Sequence, residues 1–305
     1  MKKAIEIQGL SKSYGDIKAV DGLSFTVKEG ELFAFIGVNG AGKSTTINII
    51  CGQLKKDAGS VIINGKNIDT SLEEIKGRLG VVFQTSLLDK ALSVRSNLES
   101  RAALYGITGA AFEERLDYVC GLLDITELLR RTVGKLSGGQ RRRIDIARAL
   151  IHDPDILFLD EPTTGLDPQT RKLLWNVIDR LRKEHGLTVF LTTHYMEEAA
   201  DADYVVIIES GKIAASGTPL ELKNAYAKDF ITVYGKTCEE LDVLGAPCEE
   251  VRDGFRLTVE STKAATEMII KHPSLFTDYE ITKGKMDDVF LAVTGKKLTG
   301  GEDNA

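Results

Sequence analysis

The segment Gly37–Ser44 reads GVNGAGKS and continues an apolar run that begins at Leu32. It matches the pattern G-x-x-x-x-G-K-[ST], whose glycines let phosphate oxygens approach the backbone closely. The amides of such a loop line an anion site at the N-terminus of the following helix, where the helix dipole also favours negative charge. Because a buried strand is predicted over Glu31–Gly37 and a helix from Ser44 to Cys51, this stretch predicts a phosphate-binding loop in an α/β fold.

The side chains of this loop indicate phosphates together with a metal ion. Lys43 supplies a positive charge for the β- and γ-phosphates and is a candidate catalytic residue, and the Ser44 hydroxyl is a ligand for Mg²⁺. The residues of the loop predicted to contact the phosphates or their nucleotide are Gly37, Asn39, Gly40, Ala41, Gly42, Lys43, Ser44 and Thr45.

An acidic pair follows a second predicted strand. Asp160 and Glu161 come directly after the apolar run Ile156–Leu159. Such runs suit the centre of a parallel sheet, whose strand ends open towards a ligand crevice. Asp160 would support the Mg²⁺ shell, directly or through water, and Glu161 would polarise the attacking water as a general base. Acidic pairs at strand ends are common on protein surfaces, so this pair alone is a weak signal. It indicates a catalytic site because the phosphate loop lies in the same domain.

A third motif is the run LSGGQ at residues 136–140, which precedes a predicted helix over Arg141–Leu150. Ser137 can cap this helix, and the two glycines expose backbone amides, which makes a second anion-binding helix N-terminus. For an isolated run of this kind, a flexible Ser-Gly-Gly linker before a basic helix is the alternative interpretation.

With these motifs in this order, the sequence resembles the ATP-binding subunits of ABC transporters, whose signature is LSGGQ. The resemblance covers residues 1–220 nearly continuously, and it implies an α/β P-loop NTPase core, that of an ABC ATPase, with a helical subdomain. One departure is Val38, where the family usually has proline. By position, the resemblance implies that Tyr14 stacks on the adenine and that His194 is the switch histidine. Gln84 corresponds to the glutamine of the Q-loop, and Asp167 belongs to the D-loop. The signature residues implied to contact nucleotide are Ser137, Gly138, Gly139 and Gln140.

The resemblance also implies a mechanism. In the family, two such domains face each other head to tail, and each ATP lies between one chain's phosphate loop and the partner's signature. Glu161 would be the general base, His194 would sense the γ-phosphate, and Gln84 would join Ser44 and Asp160 at the metal. We therefore expect ATP and Mg²⁺ as ligands, ATPase activity, and a homodimer or a dimer with a sister subunit that reopens after hydrolysis.

A helical insert is predicted within the α/β domain. Residues 94–131 are expected to be helical throughout, and we assign a helical subdomain to about residues 94–150. The resemblance implies that the membrane subunit docks on this insert and that the loop of Gln84 couples it to the nucleotide. Apolar residues at spacings of three and four place one face of the insert inside; they are Phe112, Leu116, Val119, Cys120 and Leu123.

Length and composition limit the class of protein. The chain has 305 residues, a formal net charge of −6 and a hydrophobic fraction of 43%, which indicates about two globular domains. Its apolar runs fall far short of the roughly 18–20 residues that span a bilayer, and Glu6 and Gln8 interrupt the apolar run that a signal peptide needs. The acidic balance disfavours a nucleic-acid surface, and the separated cysteines fit a reducing compartment. We expect a cytoplasmic protein, held on the inner face of the cell membrane by a permease.

Beyond about residue 220 the chain changes character, since turn residues at Ser216–Pro219 interrupt the pattern. We assign residues 1–222 to the ATP-binding domain, 223–296 to a small α+β C-terminal domain and 297–305 to a flexible tail. The accessory domain is either a regulatory or ligand-binding module or a contact that holds the dimer together. Its predicted strands are Phe230–Tyr234 and Phe255–Val259, and its predicted helices are Thr262–Lys271 and Met286–Val293.

Two further segments indicate the kind of transporter. Met286–Lys296 and Thr85–Leu98 resemble the drug-resistance exporter ATPases, a subgroup that includes daunorubicin-resistance-like proteins. For Met286–Lys296, a plain amphipathic helix is the alternative. The resemblance implies an ATPase that energises multidrug-type export through a separate type-2 permease. The alternative function is a soluble ABC ATPase acting on nucleic acid or ribosomes, but the single cassette, with no sustained heptads or basic tract, disfavours a nucleic-acid partner.

Overall fold

The computed structural model describes residues 2–296 of the chain. Two compact units divide it: the first comprises the residues up to His194 together with Ala202–Ile213, and the second comprises Tyr195–Asp201 and the residues from Ala214 onward. The tail predicted over residues 297–305 lies outside the described residues.

The described residues form fourteen strands and eleven α-helices. The strands that residues 2–296 form are β1 (Lys3–Tyr14), β2 (Ile17–Lys28), β3 (Leu32–Ile36), β4 (Ala58–Ile63), β5 (Lys66–Asn67), β6 (Leu79–Val82), β7 (Ile156–Asp160), β8 (Thr188–Thr193), β9 (Tyr204–Glu209), β10 (Lys212–Gly217), β11 (Asp229–Tyr234), β12 (Cys248–Val251), β13 (Gly254–Val259) and β14 (Tyr279–Thr282). The helices are α1 (Lys43–Ile50), α2 (Ile68–Lys76), α3 (Val94–Ala103), α4 (Gly109–Leu123), α5 (Gly138–Leu150), α6 (Pro168–His185), α7 (Met196–Ala200), α8 (Pro219–Tyr226), α9 (Cys238–Leu241), α10 (Thr262–Lys271) and α11 (Met286–Thr294).

A mostly parallel sheet positions the site. Its strand order is β10-β9-β3-β8-β7-β6, and β3 pairs in parallel with β8 and β9, as β7 does with β8 and β6. Every residue of β3 and β8 is buried. Strands covered on both faces read as continuous apolar runs, which is why the sequence revealed them. The strands predicted over Glu31–Gly37, Ile156–Leu159, Thr188–Thr193 and Tyr204–Ile208, and the helix over Ser44–Cys51, are confirmed to within about one residue at each end.

An antiparallel sheet of strand order β2-β1-β4-β5 packs on the parallel sheet through aromatic rings. Phe25 of β2 stacks on Phe33 of β3, with ring centroids 5.2 Å apart. Phe190 of β8 lies 5.1 Å from Phe33 and 5.2 Å from Phe158 of β7. Such ring pairs contribute about 0.5–1.5 kcal/mol each beyond the burial of their area. This cluster therefore holds β3, β7 and β8 together in the core, two or three residues before each strand ends.

The helical insert contains a break that the sequence analysis did not predict. The buried face of α4 is confirmed. The expectation that residues 94–131 are helical throughout is wrong, because α3 ends at Ala103 and α4 begins at Gly109. Gly106 has a φ of 74° in the intervening turn, and glycine adopts this left-handed conformation without steric cost. After α4, Asp124 also takes a left-handed φ of 51° and ends the helix.

The second unit contains an antiparallel sheet of strand order β12-β13-β11-β14. Ile231 and Val233 of β11 and Leu257 of β13 are fully buried in its core, against which α10 packs. The strands and helices predicted over Phe230–Tyr234, Phe255–Val259, Thr262–Lys271 and Met286–Val293 are confirmed to within about one residue. Within residues 2–296, no helix has the length and apolar character that a bilayer crossing requires.

Candidate active site

The phosphate loop joins the end of β3 to the start of α1. Glycine is required at its first position, because a Cβ atom on Gly37 would lie 2.5 Å from the carbonyl oxygen of Ile208. It is required again at Gly42, where φ is 109° and a Cβ atom would overlap the carbonyl oxygen of Ala19. Neighbouring backbone thus encloses the loop at both glycines, and a larger residue at either would displace it.

Lys43 is held inside this loop. Its side chain is only 7% exposed, and Nζ donates to the carbonyl oxygens of Gly37 at 2.5 Å and Val38 at 3.1 Å. Burial lowers the pKa of Lys43, and the nearby carboxylates of Glu161 and Asp160 oppose that shift. The loop therefore presents a cation at its centre. Among the other predicted loop residues, Ala41 is buried, Thr45 is half-buried, and Asn39, Gly40 and Ser44 are exposed.

Asp160 ends β7 and faces the neighbouring strand β8. Thr192 Oγ1 donates a hydrogen bond to Asp160 Oδ1 at 2.5 Å. Burial raises the pKa of Asp160, while the Thr192 hydrogen bond and the Lys43 charge act in the opposite direction. The Asp160 side chain is therefore fixed in position and lies close to the buried ammonium group of Lys43.

Glu161 follows Asp160 in an unusual backbone conformation. Its φ is 46°, a left-handed value that costs a non-glycine residue about 1–3 kcal/mol. Its amide donates to the Thr192 carbonyl oxygen at 3.0 Å, which ties the turn to β8. Such strain in a sharp turn aims a side chain out of the strand, and here it directs the carboxylate towards Gln84 and His194.

Three side chains surround the Glu161 carboxylate. Oε2 accepts a hydrogen bond from Gln84 Nε2 at 3.0 Å and lies 3.4 Å from His194 Nδ1. Thr164 Oγ1 lies 3.5 Å from the same oxygen. The fold thus brings together Gln84, Glu161 and His194, which are far apart in the sequence. A carboxylate held by two side-chain nitrogens beside a phosphate loop can accept a proton from water in a fixed direction.

The signature run forms the start of α5. Ser137 Oγ accepts from the Gln140 amide at 3.2 Å, and Gln140 Oε1 accepts from the Ser137 amide at 3.1 Å. This reciprocal capping box fixes the first turn of the helix, so the predicted cap at Ser137 is confirmed. Each side chain thereby accepts from the backbone amide of the other residue, and the other amides of the first turn point outward from the helix N-terminus.

The remaining predicted residues lie near the signature and at the rim of the first unit. Asp167 caps α6, since Oδ1 accepts from the Thr170 amide at 2.9 Å. A Cβ atom on Gly139 would lie 2.9 Å from Thr170 Oγ1, so the signature packs closely on the start of α6. Tyr14 ends β1 with 51% of its surface exposed, and Lys12 Nζ lies 5.9 Å from its ring centroid.

Thr192 is a site residue that the sequence analysis missed. It contacts Asp160 through its hydroxyl and Glu161 through its carbonyl oxygen. The signal was present as a threonine at the end of the apolar strand that precedes His194. Because threonine is common in β-strands, its presence there did not show whether Thr192 belongs to the site or only to the strand.

Comparison with known proteins identifies relatives of this chain. The ABC transporter family model matches residues 20–164. Nod factor export ATP-binding protein I of Ralstonia nicotianae is 38% identical, covering 96% of this chain and 94% of that protein. The doxorubicin resistance ATP-binding protein DrrA of Mycobacterium tuberculosis is 34% identical, covering 95% and 93%. A dimeric ATP-binding cassette solved in a post-hydrolysis state with ADP and Pi gives a TM-score of 0.66 at 28% identity, covering 70% of this chain and 98% of that one.

The chain belongs to the ATP-binding subunits of the ABC transporters. It has the α/β fold with the P-loop NTPase core of this family, it binds nucleotide, and it is an ATPase. The resemblance to drug-resistance-type exporter ATPases is also confirmed, because relatives named for export and for doxorubicin resistance match nearly the whole chain.

We predict that Thr192→Val raises the pKa of Asp160 further, because burial then acts without the hydrogen bond that opposes it. Losing a hydrogen bond to a charged group should lower the free energy of unfolding at neutral pH by about 1.5–3 kcal/mol. This loss should shrink as the pH falls and Asp160 becomes protonated, since the hydrogen bond favours the ionised carboxylate. NMR titration of the ¹³C-labelled carboxyl group and urea unfolding at several pH values measure both effects.

Thr188→Val is the matched control, because Thr188 begins the same strand and its Oγ1 accepts from the Gly30 amide at 3.0 Å. It should cost stability without moving the titration of Asp160. An Asp160 titration that is the same in Thr192→Val and in the unsubstituted protein would contradict the importance of this hydrogen bond.

Proposed function

We propose that this chain hydrolyses ATP to drive efflux of a substrate through a separate membrane permease. The observation that carries the catalytic part is the Glu161 carboxylate, which accepts from Gln84 and lies beside His194 at strand ends that border the phosphate loop. The direction of transport is supported by the relatives named for Nod factor export and doxorubicin resistance.

Nucleotide binding would use the loop and the rim of the first unit. The loop amides and the Lys43 ammonium would bind the β- and γ-phosphates, because they combine a helix N-terminus with a buried cation. Tyr14, whose ring is half exposed, would stack on the adenine.

Mg²⁺ would be held by Ser44, Gln84 and Asp160. Their donor atoms are a hydroxyl, an amide carbonyl and a carboxylate, which are the oxygen ligands that this ion prefers. Gln84 contacts Glu161 through its nitrogen, so its carbonyl oxygen is the atom suited to the metal. When bound, the ion neutralises charge on the phosphates.

Glu161 would act as the general base on the attacking water. Gln84 and His194 would fix the direction of its carboxylate, and His194 would also hold the water against the γ-phosphate. Preorganised groups of this kind lower the barrier because they need no reorientation during the reaction.

The signature would act on the nucleotide of a second cassette, either a copy of this chain or a sister subunit. The helix N-terminus at Ser137 and the amides of Gly138 and Gly139 present partial positive charge, which suits a γ-phosphate. Asp167 and Gln140 would lie at the same interface. ATP shared between two cassettes would close the dimer, and hydrolysis would remove the phosphate that holds it closed. The similar cassette solved with ADP and Pi is dimeric, which supports this arrangement.

We assign the ATP-binding domain to residues 1–222, its helical subdomain to about 94–150, and an accessory domain to 223–296. The loop of Gln84 leads from the catalytic centre to the helical subdomain, so it would transmit the nucleotide state to a permease docked there. This arrangement would place the chain on the cytoplasmic face of the membrane. No observation favours the alternative of a soluble ABC ATPase acting on nucleic acid or ribosomes.

We predict that Glu161→Gln binds ATP normally, traps the closed dimer and loses steady-state turnover by about 10²–10⁴-fold, the usual contribution of a general base. Lys43→Ala should fail earlier, at nucleotide binding. Glu184→Gln is the control, because Glu184 forms an exposed ion pair with Arg180. ATPase rates, nucleotide binding and size-exclusion chromatography with ATP test these outcomes, and wild-type turnover in Glu161→Gln would remove Glu161 from the mechanism.

Mixing two inactive variants tests whether the signature acts across the dimer. Lys43→Ala and Ser137→Arg should each be inactive alone, yet a mixed dimer would combine one intact loop with one intact signature. If the chain forms homodimers, random pairing should restore roughly a quarter of the wild-type ATPase rate. If the signature served its own chain's nucleotide, no mixed dimer would contain an intact site and the mixture would stay inactive.

A purification from detergent-solubilised native membranes tests the transport function. We expect the tagged protein to co-purify with a polytopic membrane protein, which an untagged mock preparation lacks. Recovery from the soluble fraction with ribosomes or nucleic acid, and without a membrane partner, would contradict export while leaving the ATPase chemistry intact.

A further inference from the structure

Arg142 is a buried arginine in α5 that the mechanism so far does not use. It is 8% exposed, although it lies only a few residues after the signature run. Its guanidinium donates to backbone carbonyl oxygens of two separate segments. These are Phe83 at 2.6 Å, Pro162 at 2.7 Å, and Asp160 and Glu161 at 3.1 Å each.

These carbonyl oxygens belong to the two loops that carry the reacting groups. Phe83 lies between the end of β6 and Gln84, and the other three residues are Asp160, which ends β7, and the two residues that follow it. Both loops leave buried strands, so their carbonyl groups need donors that the sheet no longer supplies. A planar guanidinium offers five N–H donors in a fixed fork, whereas lysine offers three donors at a single point.

A second contact from the same helix holds the other side of Gln84. Asp145, one turn after Arg142, accepts a hydrogen bond from Ser86 Oγ at 2.9 Å. The segment from Phe83 to Ser86 is therefore attached to α5 on both sides of Gln84. Arg142 and Asp145 also place opposite charges next to each other, which reduces the cost of burying both.

We propose that Arg142 is a positioning residue, which fixes the Glu161 turn and the Gln84 loop in one arrangement and links both to the signature helix of the same chain. It acts through backbone carbonyl oxygens and does not touch the Glu161 carboxylate. This inference rests on the proposed role of Glu161 as general base. If α5 is displaced, Arg142 therefore also displaces Glu161, the general base of the chain's own site. This effect is separate from the contact that the signature would make with a partner's nucleotide.

The left-handed turn at Glu161 explains why such a residue is needed. A residue at a φ of 46° relaxes towards common backbone angles unless the surroundings hold it. The Thr192 backbone holds this turn from β8, and Arg142 holds it from α5 through the carbonyl oxygens of Asp160 and Pro162. Without the guanidinium, the carboxylate would lose its fixed direction towards Gln84 and His194.

The test compares the steady-state kinetics of Arg142→Met and Arg142→Lys with those of the wild-type chain. Arg142→Met keeps the volume but removes every donor, so kcat should fall about 100-fold, the usual effect of displacing a reacting group by about 1 Å. The KM for ATP should change by less than about threefold, because the phosphate loop is untouched. The kcat of Arg142→Lys should be about tenfold higher than that of Arg142→Met, since lysine restores the charge and three donors.

Arg143→Met is the matched control. Arg143 is the next residue of α5 and also donates to backbone carbonyl oxygens, those of Leu123 at 3.3 Å and Asp124 at 2.7 Å. Its loss should also lower the unfolding temperature, because two backbone carbonyl oxygens lose their donor, but it should leave kcat within about twofold. If Arg142→Met does not fold, Arg142→Lys alone should still show a lowered kcat at an unchanged KM.

A double-mutant cycle with Glu161→Gln separates this inference from the proposed function. If Arg142 acts through Glu161, the residual rate of Glu161→Gln should not fall further when Arg142→Met is added. A multiplicative loss in the double variant, or a kcat in folded Arg142→Met equal to that of Arg143→Met, would overturn the positioning role alone. Wild-type turnover in Glu161→Gln would instead overturn the general base, and this inference with it.

Discussion

The parallel register of β3, β8 and β7 is the constraint on which the site depends. Thr192 pairs with Phe35 on one side and with Asp160 on the other, so the ends of these three strands lie at one edge of the sheet. The phosphate loop follows β3, the acidic pair ends β7, and His194 follows β8. Aromatic packing through Phe33, Phe158 and Phe190 holds this register, because a shift by one residue would move these rings to the opposite face of the sheet and break their contacts.

Buried charges give the site its chemical character. Burial lowers the pKa of Lys43 and raises the pKa of Asp160, so each is held in a place that disfavours its charge. Their proximity opposes both shifts, and the Thr192 hydroxyl and the loop carbonyl oxygens complete the compensation. The cost of removing these charged groups from water is therefore incurred when the protein folds, before an anionic nucleotide binds. Arg142 extends the same arrangement to the loops, since its cation is also buried among backbone oxygens.

The buried strands and the motifs could be predicted, because they are local patterns with strong physical causes. Continuous apolar runs marked β3, β7, β8 and β9, and the spacing of apolar residues marked the buried face of α4. The long hairpin of β1 and β2 was not predicted, because Gly9, Gly22 and several shifts of register interrupt the alternation of polar and apolar residues that marks a strand. The turn at Gly106 was missed because the helical periodicity on either side of it is nearly in phase.

The sequence by itself determined the phosphate loop, the acidic pair after a buried strand and the capped signature helix, because each needs particular residue types at fixed short spacings. Tertiary structure alone decided which of these groups meet. Gln84 donates to Glu161 across 77 positions of sequence, Thr192 fixes Asp160 from the adjacent strand, and the Arg142 guanidinium gathers carbonyl oxygens from two loops. Such contacts depend on strand order and register, which no local pattern encodes, and on backbone oxygens, which every residue carries alike.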